Sequence, residues 1–239
     1  MIDTHAHLDA LEDDPADVVA RAREAGVTRI LTVGLAQAVE LAERFDGVYA
    51  IVGVHPHEAA TGDVAEVRRL QQHPKAVAVG ETGLDWFRNY ATPEAQRDMF
   101  EAQLGLAAEL GKPVVIHTRA ADDDTLAALA TFEGTVVLHC FSSPRLLPTA
   151  LERGWYVSFA GNATFPNASE LRLAATQVPA DRLLAETDSP YLAPQPMRGR
   201  RNEPAYVRYT LAALAQARGD DPGELAEQID RNADACFRL

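Results

Sequence analysis

Two stretches, Pro113-Val114-Val115-Ile116-His117 and Thr135-Val136-Val137-Leu138-His139-Cys140, decide how the rest of the chain is read. Each is a continuous apolar run that stops abruptly on or just after a histidine. A strand with one wet face alternates apolar and polar residues, whereas an unbroken apolar run is expected of a parallel strand covered on both faces. Six further runs share the pattern more or less closely: Ile2–His7, Arg29–Gly34, Val48–His55, Ala76–Gly80, Trp155–Phe159 and Leu183–Thr187. Amphipathic segments with helix-boundary signals lie between them. Asp14-Pro15 is a cap followed by a first-turn proline, Gly26 follows that helix, and Thr92-Pro93 and Ser143-Pro144 repeat the start signal. Eight strand–helix units in 239 residues match a (β/α)8 TIM barrel, one domain over residues 1–239. A doubly wound open sheet is the runner-up, but no glycine-rich phosphate loop follows the first run.

Bulk composition narrows the function. The formal net charge of −13 repels a polyanion, so broad wrapping of nucleic acid is not expected. An acidic substrate would need a local cationic pocket. The two cysteines, Cys140 and Cys236, make no disulfide framework and suit a reducing cytosol. No leader-like segment and no run long enough to span a bilayer is present, so a cytoplasmic location without membrane contact is expected, and no obligate protein partner is evident.

The polar residues fall in one place. Residues i and i+2 of a strand share a side, so His5 and His7 face together. The C-terminal ends of other runs carry His55 and His57, Glu81, His117, His139 and Asp188, and among seven histidines only His73 lies elsewhere. Barrel enzymes build their sites at that rim. As core packing, six imidazoles and two carboxylates would each need desolvation and a partner. As ligands without thiolates, they suit two divalent ions such as Zn, Mn or Mg, with Glu81 as the bridging carboxylate.

The motifs DTHAHLD, VGVHPHE, GETGLDWF, PVVIHTR, LHCFS, ETDSPYLAP and PMRGRRNEP, in this order, resemble the TatD-related metal-dependent deoxyribonucleases of the amidohydrolase superfamily. The resemblance covers the whole chain. It implies a binuclear site, with His5, His7, Glu81 and Asp188 around one ion and Glu81, His117 and His139 around the other. It also implies hydrolysis of DNA, often as a 3′–5′ exonuclease. Departures are a short loop after the first strand (ALEDDP), Thr82 in place of the common Ile, Ser143 in place of a frequent Gly, and Arg200 in place of a frequent Lys. None is a proposed ligand; the short loop bears on substrate choice.

In this reading Asp188 orients water and takes its proton, Glu81 bridges, and His55 contacts substrate or protonates the leaving oxygen. Glu186 and His57 support the ligands from behind. Arg198 and Asn202, after the last strand, and Arg119, beyond His117, are the expected phosphate contacts, with Arg201 a weaker one. Trp86 and Phe87 are placed to stack on a base or simply to pack. The substrate is then DNA at strand ends or a small phosphate ester. Two alternatives stay open: a superfamily hydrolase of a small amide, lactone or phosphotriester, and a structural metal-binding protein.

Overall fold

In the computed structural model, which describes residues 1–88 and 90–239, eight strands form one parallel sheet in chain order. They are β1 (Ile2–Ala6), β2 (Arg29–Gly34), β3 (Val48–Val52), β4 (Ala76–Asp85), β5 (Val114–Arg119), β6 (Val136–Leu138), β7 (Tyr156–Phe159) and β8 (Leu183–Ala185). The helices between them include α1 (Pro15–Glu24), α2 (Ala36–Arg44), α3 (Val64–Leu70), α4 (Pro93–Leu110), α5 (Asp122–Leu129), α6 (Leu147–Glu152) and α7 (Ser169–Gln177), with α8 (Val207–Arg218) and α9 (Pro222–Phe237) after β8. This is a TIM barrel. Leu31, Ile51, Ile116, Val157 and Leu184 have no more than 1% of their surface exposed, as strands covered on both faces require. Burying each such side chain contributes about 1.5–3 kcal/mol.

The seam between β8 and β1 closes through side chains and the segment beyond β8. Thr4 Oγ1 donates to the Ala185 carbonyl (3.1 Å), Asp188 N to the His5 carbonyl (2.9 Å) and His7 N to the Ser189 carbonyl (2.7 Å). The buried Asp3 carboxylate accepts from Thr187 N (2.9 Å) and Thr187 Oγ1 (2.6 Å). Burial pushes the Asp3 carboxyl up to about 8 against these donors. The seam therefore ties the His5–His7 strand to the Asp188 segment.

Helix ends follow local chemistry. Asp14 accepts from Ala16 N (2.8 Å) and Thr92 from Ala95 N (3.2 Å), and Gly111, at φ 62°, ends α4 in the left-handed region. Ser143 departs from expectation. Its hydroxyl donates to Asp122 instead of capping, a short 3₁₀ turn follows Pro144, and α6 begins only at Leu147.

Strand lengths differ from the sequence pattern at both extremes. β3 stops at Val52 because the Gln103 side chain takes the backbone groups of Val54, Oε1 accepting its N–H (2.8 Å) and Nε2 donating to its carbonyl (2.9 Å), and His55 beyond it accepts the His57 N–H on Nδ1 (3.1 Å). β4 instead runs on to Asp85, paired with β5 through Thr82–Ile116, Gly83–His117, Leu84–Thr118 and Asp85–Arg119. Glu81 thus lies within the strand and not beyond it.

Gly83 makes that pairing possible. Its φ is +141°, and a Cβ there would come 1.9 Å from the His117 carbonyl oxygen. Gly83→Ala should cost about 2 kcal/mol or more in urea denaturation. Gly105→Ala, on the exposed face of α4 with nothing within 4 Å of the added carbon, should be neutral or gain about 1 kcal/mol. Equal effects of the two substitutions would refute this account of the β4–β5 contact.

Candidate metal centre

The extension of β4 brings Glu81 under the histidines of the surrounding strand ends. Its carboxylate is 4% exposed and presents its two oxygens to different groups. Oε2 lies 3.3 Å from His5 Nε2 and 3.7 Å from His7 Nε2. Oε1 lies 2.7 Å from His117 Nδ1, 2.9 Å from His139 Nε2 and 3.5 Å from His55 Nε2. Asp188 Oδ1 completes the first side, 3.5 Å from His7 Nε2 and 4.0 Å from His5 Nε2. Asp188 has a φ of 54°, a left-handed conformation tolerated by Asp and fixed by its N–H bond to His5.

These charges set one another. Burial alone would raise the Glu81 carboxyl, yet the facing imidazoles of His139, His55 and His117 hold it well below the usual carboxylate range. Burial likewise opposes ionisation of His139, but Glu81 and Glu186 together raise it well above the usual imidazole value. His117 is raised against burial by Asp85 and Glu81, and His7 by Asp188 and Glu81. Burial would raise the Asp188 carboxyl, but the neighbouring His7 holds it below its usual value. His5 goes the other way: burial and the neighbouring His139 lower it.

The donor set fits divalent metal. Both ring nitrogens of fully buried His5 lack a hydrogen-bond partner, a costly state for imidazole unless an ion is coordinated. Three overlapping groups bring ligand atoms within 4.8 Å of one another: His5, His7 and Glu81; His5, His139 and Asp188; and His55, Glu81 and His117. Two of these differ from the division that the family resemblance implies: the second places His139 with His5 and Asp188, and the last has His55 beside His117 where the resemblance has His139. Hydrogen bonding separates the two histidines. His139 Nδ1 meets Glu186 Oε1 at 3.0 Å, leaving Nε2 toward Glu81. His117 Nε2 meets Asp85 Oδ2 at 3.3 Å, leaving Nδ1 toward Glu81. A carboxylate behind the ring in this way fixes the tautomer of a metal-binding histidine. In His55 the nitrogen away from the centre is an acceptor, so in the neutral ring Nε2 carries the proton and is a donor.

The remaining site residues divide. Glu186 is buried behind His139 and also accepts the Cys140 N–H at 2.8 Å. His57 Nε2 bonds Asp85 Oδ2 at 2.8 Å, outside the ligand groups. Arg119 is exposed at the end of β5 with its guanidinium 3.9 Å from the Phe87 ring centroid, and exposed Arg198 lies over Phe165 at 4.7 Å. Arg201 is engaged by Glu12 at 2.7 Å. Asn202, expected to contact phosphate, is instead 1% exposed, with Nδ2 donating to the carbonyls of Thr187 and Tyr191. Its amide is spent on bracing the segment after β8, so it is not free for substrate. Trp86 donates Nε1–H to Asp124 (2.8 Å) and packs under Arg97, while Phe87 stays exposed.

Sequence reading missed Asp3 and Asp85. Asp85 is fully buried and held low against burial by His117, the Arg88 N–H and His57. Glu81, Gly83 and Asp85 share one strand face at i, i+2 and i+4. Ending the strand at Gly80 hid that signal.

A barrel with this cluster at its C-terminal rim defines a metal-dependent hydrolase. The family model described as "TatD related DNase" matches residues 2–238, and the chain belongs to that family. A Mycobacterium tuberculosis protein named "Uncharacterized metal-dependent hydrolase TatD" is 43% identical over the whole chain and 98% of its own length. An Erwinia tasmaniensis protein named "3′-5′ ssDNA/RNA exonuclease TatD" is 41% identical, covering 95% of this chain and 94% of its own. The crystal structure of YJJV, a TatD homologue from Escherichia coli, superposes with a TM-score of 0.92 at 30% identity, covering 100% and 98% of the two chains.

The raised imidazoles make protons competitors of the metal. His139, His117 and His7 bind protons more tightly than free histidine, and ligation requires the neutral ring. Zn or Mn titrated calorimetrically should therefore bind at least about tenfold more weakly at pH 6 than at pH 8, with proton release. The same affinity at both values would refute the assignment of these rings as ligands.

Proposed function

We propose that this enzyme is a phosphodiesterase that holds two divalent ions and removes nucleotides from single-stranded ends of DNA in the 3′–5′ direction. The observation that carries the phosphate reading is Arg119. At the end of β5, two residues beyond His117, it is exposed and, among the described residues, forms no ion pair. In a chain of net charge −13, a free guanidinium beside the ligand cluster provides the local cationic pocket that a phosphate needs. Arg198, also unpaired among the described residues, is the second contact. The Erwinia relative's name supports the polarity and single-strand preference, and extends the substrate to RNA.

His5, His7, Glu81 and Asp188 would hold one ion, and Glu81, His117 and His139 the other. When bound, the ions supply Lewis-acid polarisation of phosphate and activation of water. The chain's own groups do the rest. Asp188, kept ionised by His7, accepts the proton of the attacking water. His55 Nε2–H, 3.5 Å from Glu81 Oε1, would donate a hydrogen bond to the departing sugar oxygen, whose proton comes from water. Glu186 and Asp85 keep His139 and His117 in the tautomers that ligation requires. A cytoplasmic location is part of this reading, supported by the two free thiols, Cys140 and Cys236.

Hydrolysis of a small amide or lactone would use the same ligands, but gives the unpaired arginines no role. The test is end-labelled single-stranded DNA and RNA incubated with Mg, Mn or Zn, beside a lactone and amide panel. Stepwise nucleotide release from the 3′ end, abolished by EDTA and by Glu81→Ala, is expected. Glu186→Gln should lower activity or metal affinity about 10–100-fold. Turnover confined to the lactones or amides, or unaffected by Glu81→Ala, would overturn the proposal.

A further inference from the structure

Four large hydrophobic side chains among the described residues stand more than half out of water: Phe87 (62% exposed), Tyr90 (65%), Leu173 (61%) and Tyr191 (57%). Leu173 lies on α7, whereas the three aromatic rings follow β4 and β8, at the end of the barrel that carries the candidate metal centre. Tyr191 meets His7 edge-on with ring centroids 5.9 Å apart, and Tyr90 meets His57 at 4.9 Å. Phe87 packs against the Arg119 guanidinium at 3.9 Å. Exposed rings beside charged and polar groups offer flat apolar faces that a ligand can cover.

Two of these rings are firmly placed. Phe87 follows β4, and Asp85 Oδ1 accepts the N–H groups of both Phe87 and Arg88 at 2.8 Å. Tyr191 follows β8. Its N–H donates to the Asp188 carbonyl (2.9 Å), and its carbonyl accepts from buried Asn202. The sheet runs in the order β1 to β8 and closes on itself, so β4 and β8 stand half a circumference apart. The two rings therefore rise on opposite sides of a centre whose middle is Glu81.

We propose that Phe87 and Tyr191 are base-stacking walls, each taking one of the two nucleobases that flank the phosphodiester held over the metal centre. This rests on the phosphodiesterase reading above and deepens it by naming the side chains that would hold the bases of an unpaired strand, whatever its sequence. Aromatic stacking accepts every base because every base has a flat face, and Arg119 on Phe87 adds a cation to the platform. Splitting two neighbouring bases onto opposite walls requires them to leave their own stack. A duplex end would have to be opened first, which makes single strands the preferred substrate.

The test uses calorimetric binding of a short phosphorothioate-linked oligothymidylate, which resists hydrolysis, to the metal-loaded protein. The same backbone without bases is titrated beside it, and nucleotide release from ordinary oligothymidylate is measured in parallel. The wild type should bind the base-carrying form at least about fivefold more tightly than the abasic one. Phe87→Ala and Tyr191→Ala should each reduce that preference while leaving abasic binding and the circular-dichroism melting temperature unchanged. Phe87→Leu, which keeps apolar bulk without a π face, should behave as Phe87→Ala, and Phe87→Trp should restore the preference. Nucleotide release with equal binding of the two forms, or with a preference untouched by either alanine variant, would overturn the stacking and leave the phosphodiesterase intact. Absence of nucleotide release would overturn both.

Discussion

Everything at the mouth of this barrel is organised by one buried carboxylate. Glu81 is nearly sealed from water, yet its two oxygens face five imidazoles, Oε2 on the His5–His7 side and Oε1 on the side of His117, His139 and His55. A carboxylate in that position is stable only if the charge around it is positive, whether from protonated histidines or from metal. The histidines, in turn, are acceptable at such density only because the carboxylates stand among them. Neither half of the cluster is a tolerable core by itself. A bound cation would resolve that compromise, and the unpartnered ring nitrogens of His5 fit one.

The fold serves that carboxylate. Pairing of β4 with β5 as far as Asp85–Arg119 lifts Glu81 into the ring of strand ends and sets His117 opposite Gly83. The seam through Asp3, Thr187 and the Asp188 N–H ties the first strand to the last, so residues some 180 positions apart in sequence share one site. Behind the cluster, Asp85 and Glu186 bond the far nitrogens of His117 and His139 and so fix the orientation of those two rings. Arg119, at the end of β5, and Tyr191, against His7, stand exposed beside this centre.

Much of this was legible in the chain. Continuous apolar runs such as Pro113–His117 identified buried parallel strands, and their polar termini marked the functional end of the barrel. That works because a charged or imidazole group at the end of an apolar strand has few structural uses. Less legible were features whose meaning depends on a neighbour. Thr82–Asp85 does not look like strand, since its apolar content is low, and only the adjacent β5 continues it. Asn202 carries the same amide whether it grips a phosphate or two backbone carbonyls, and only the path of the chain after β8 decides. The ring nitrogen that each histidine offers is likewise set by partners such as Glu186 that sequence spacing does not connect.

On the proposed reading Glu81 would hold two ions, one with each oxygen. A crystal of the manganese-loaded protein, examined by anomalous scattering at the metal edge, tests this directly. Two peaks about 3.5–4 Å apart are expected, one beside His5, His7 and Asp188 and one beside His117 and His139, each in contact with Glu81. A single peak at full occupancy, or two peaks of which Glu81 touches only one, would contradict it.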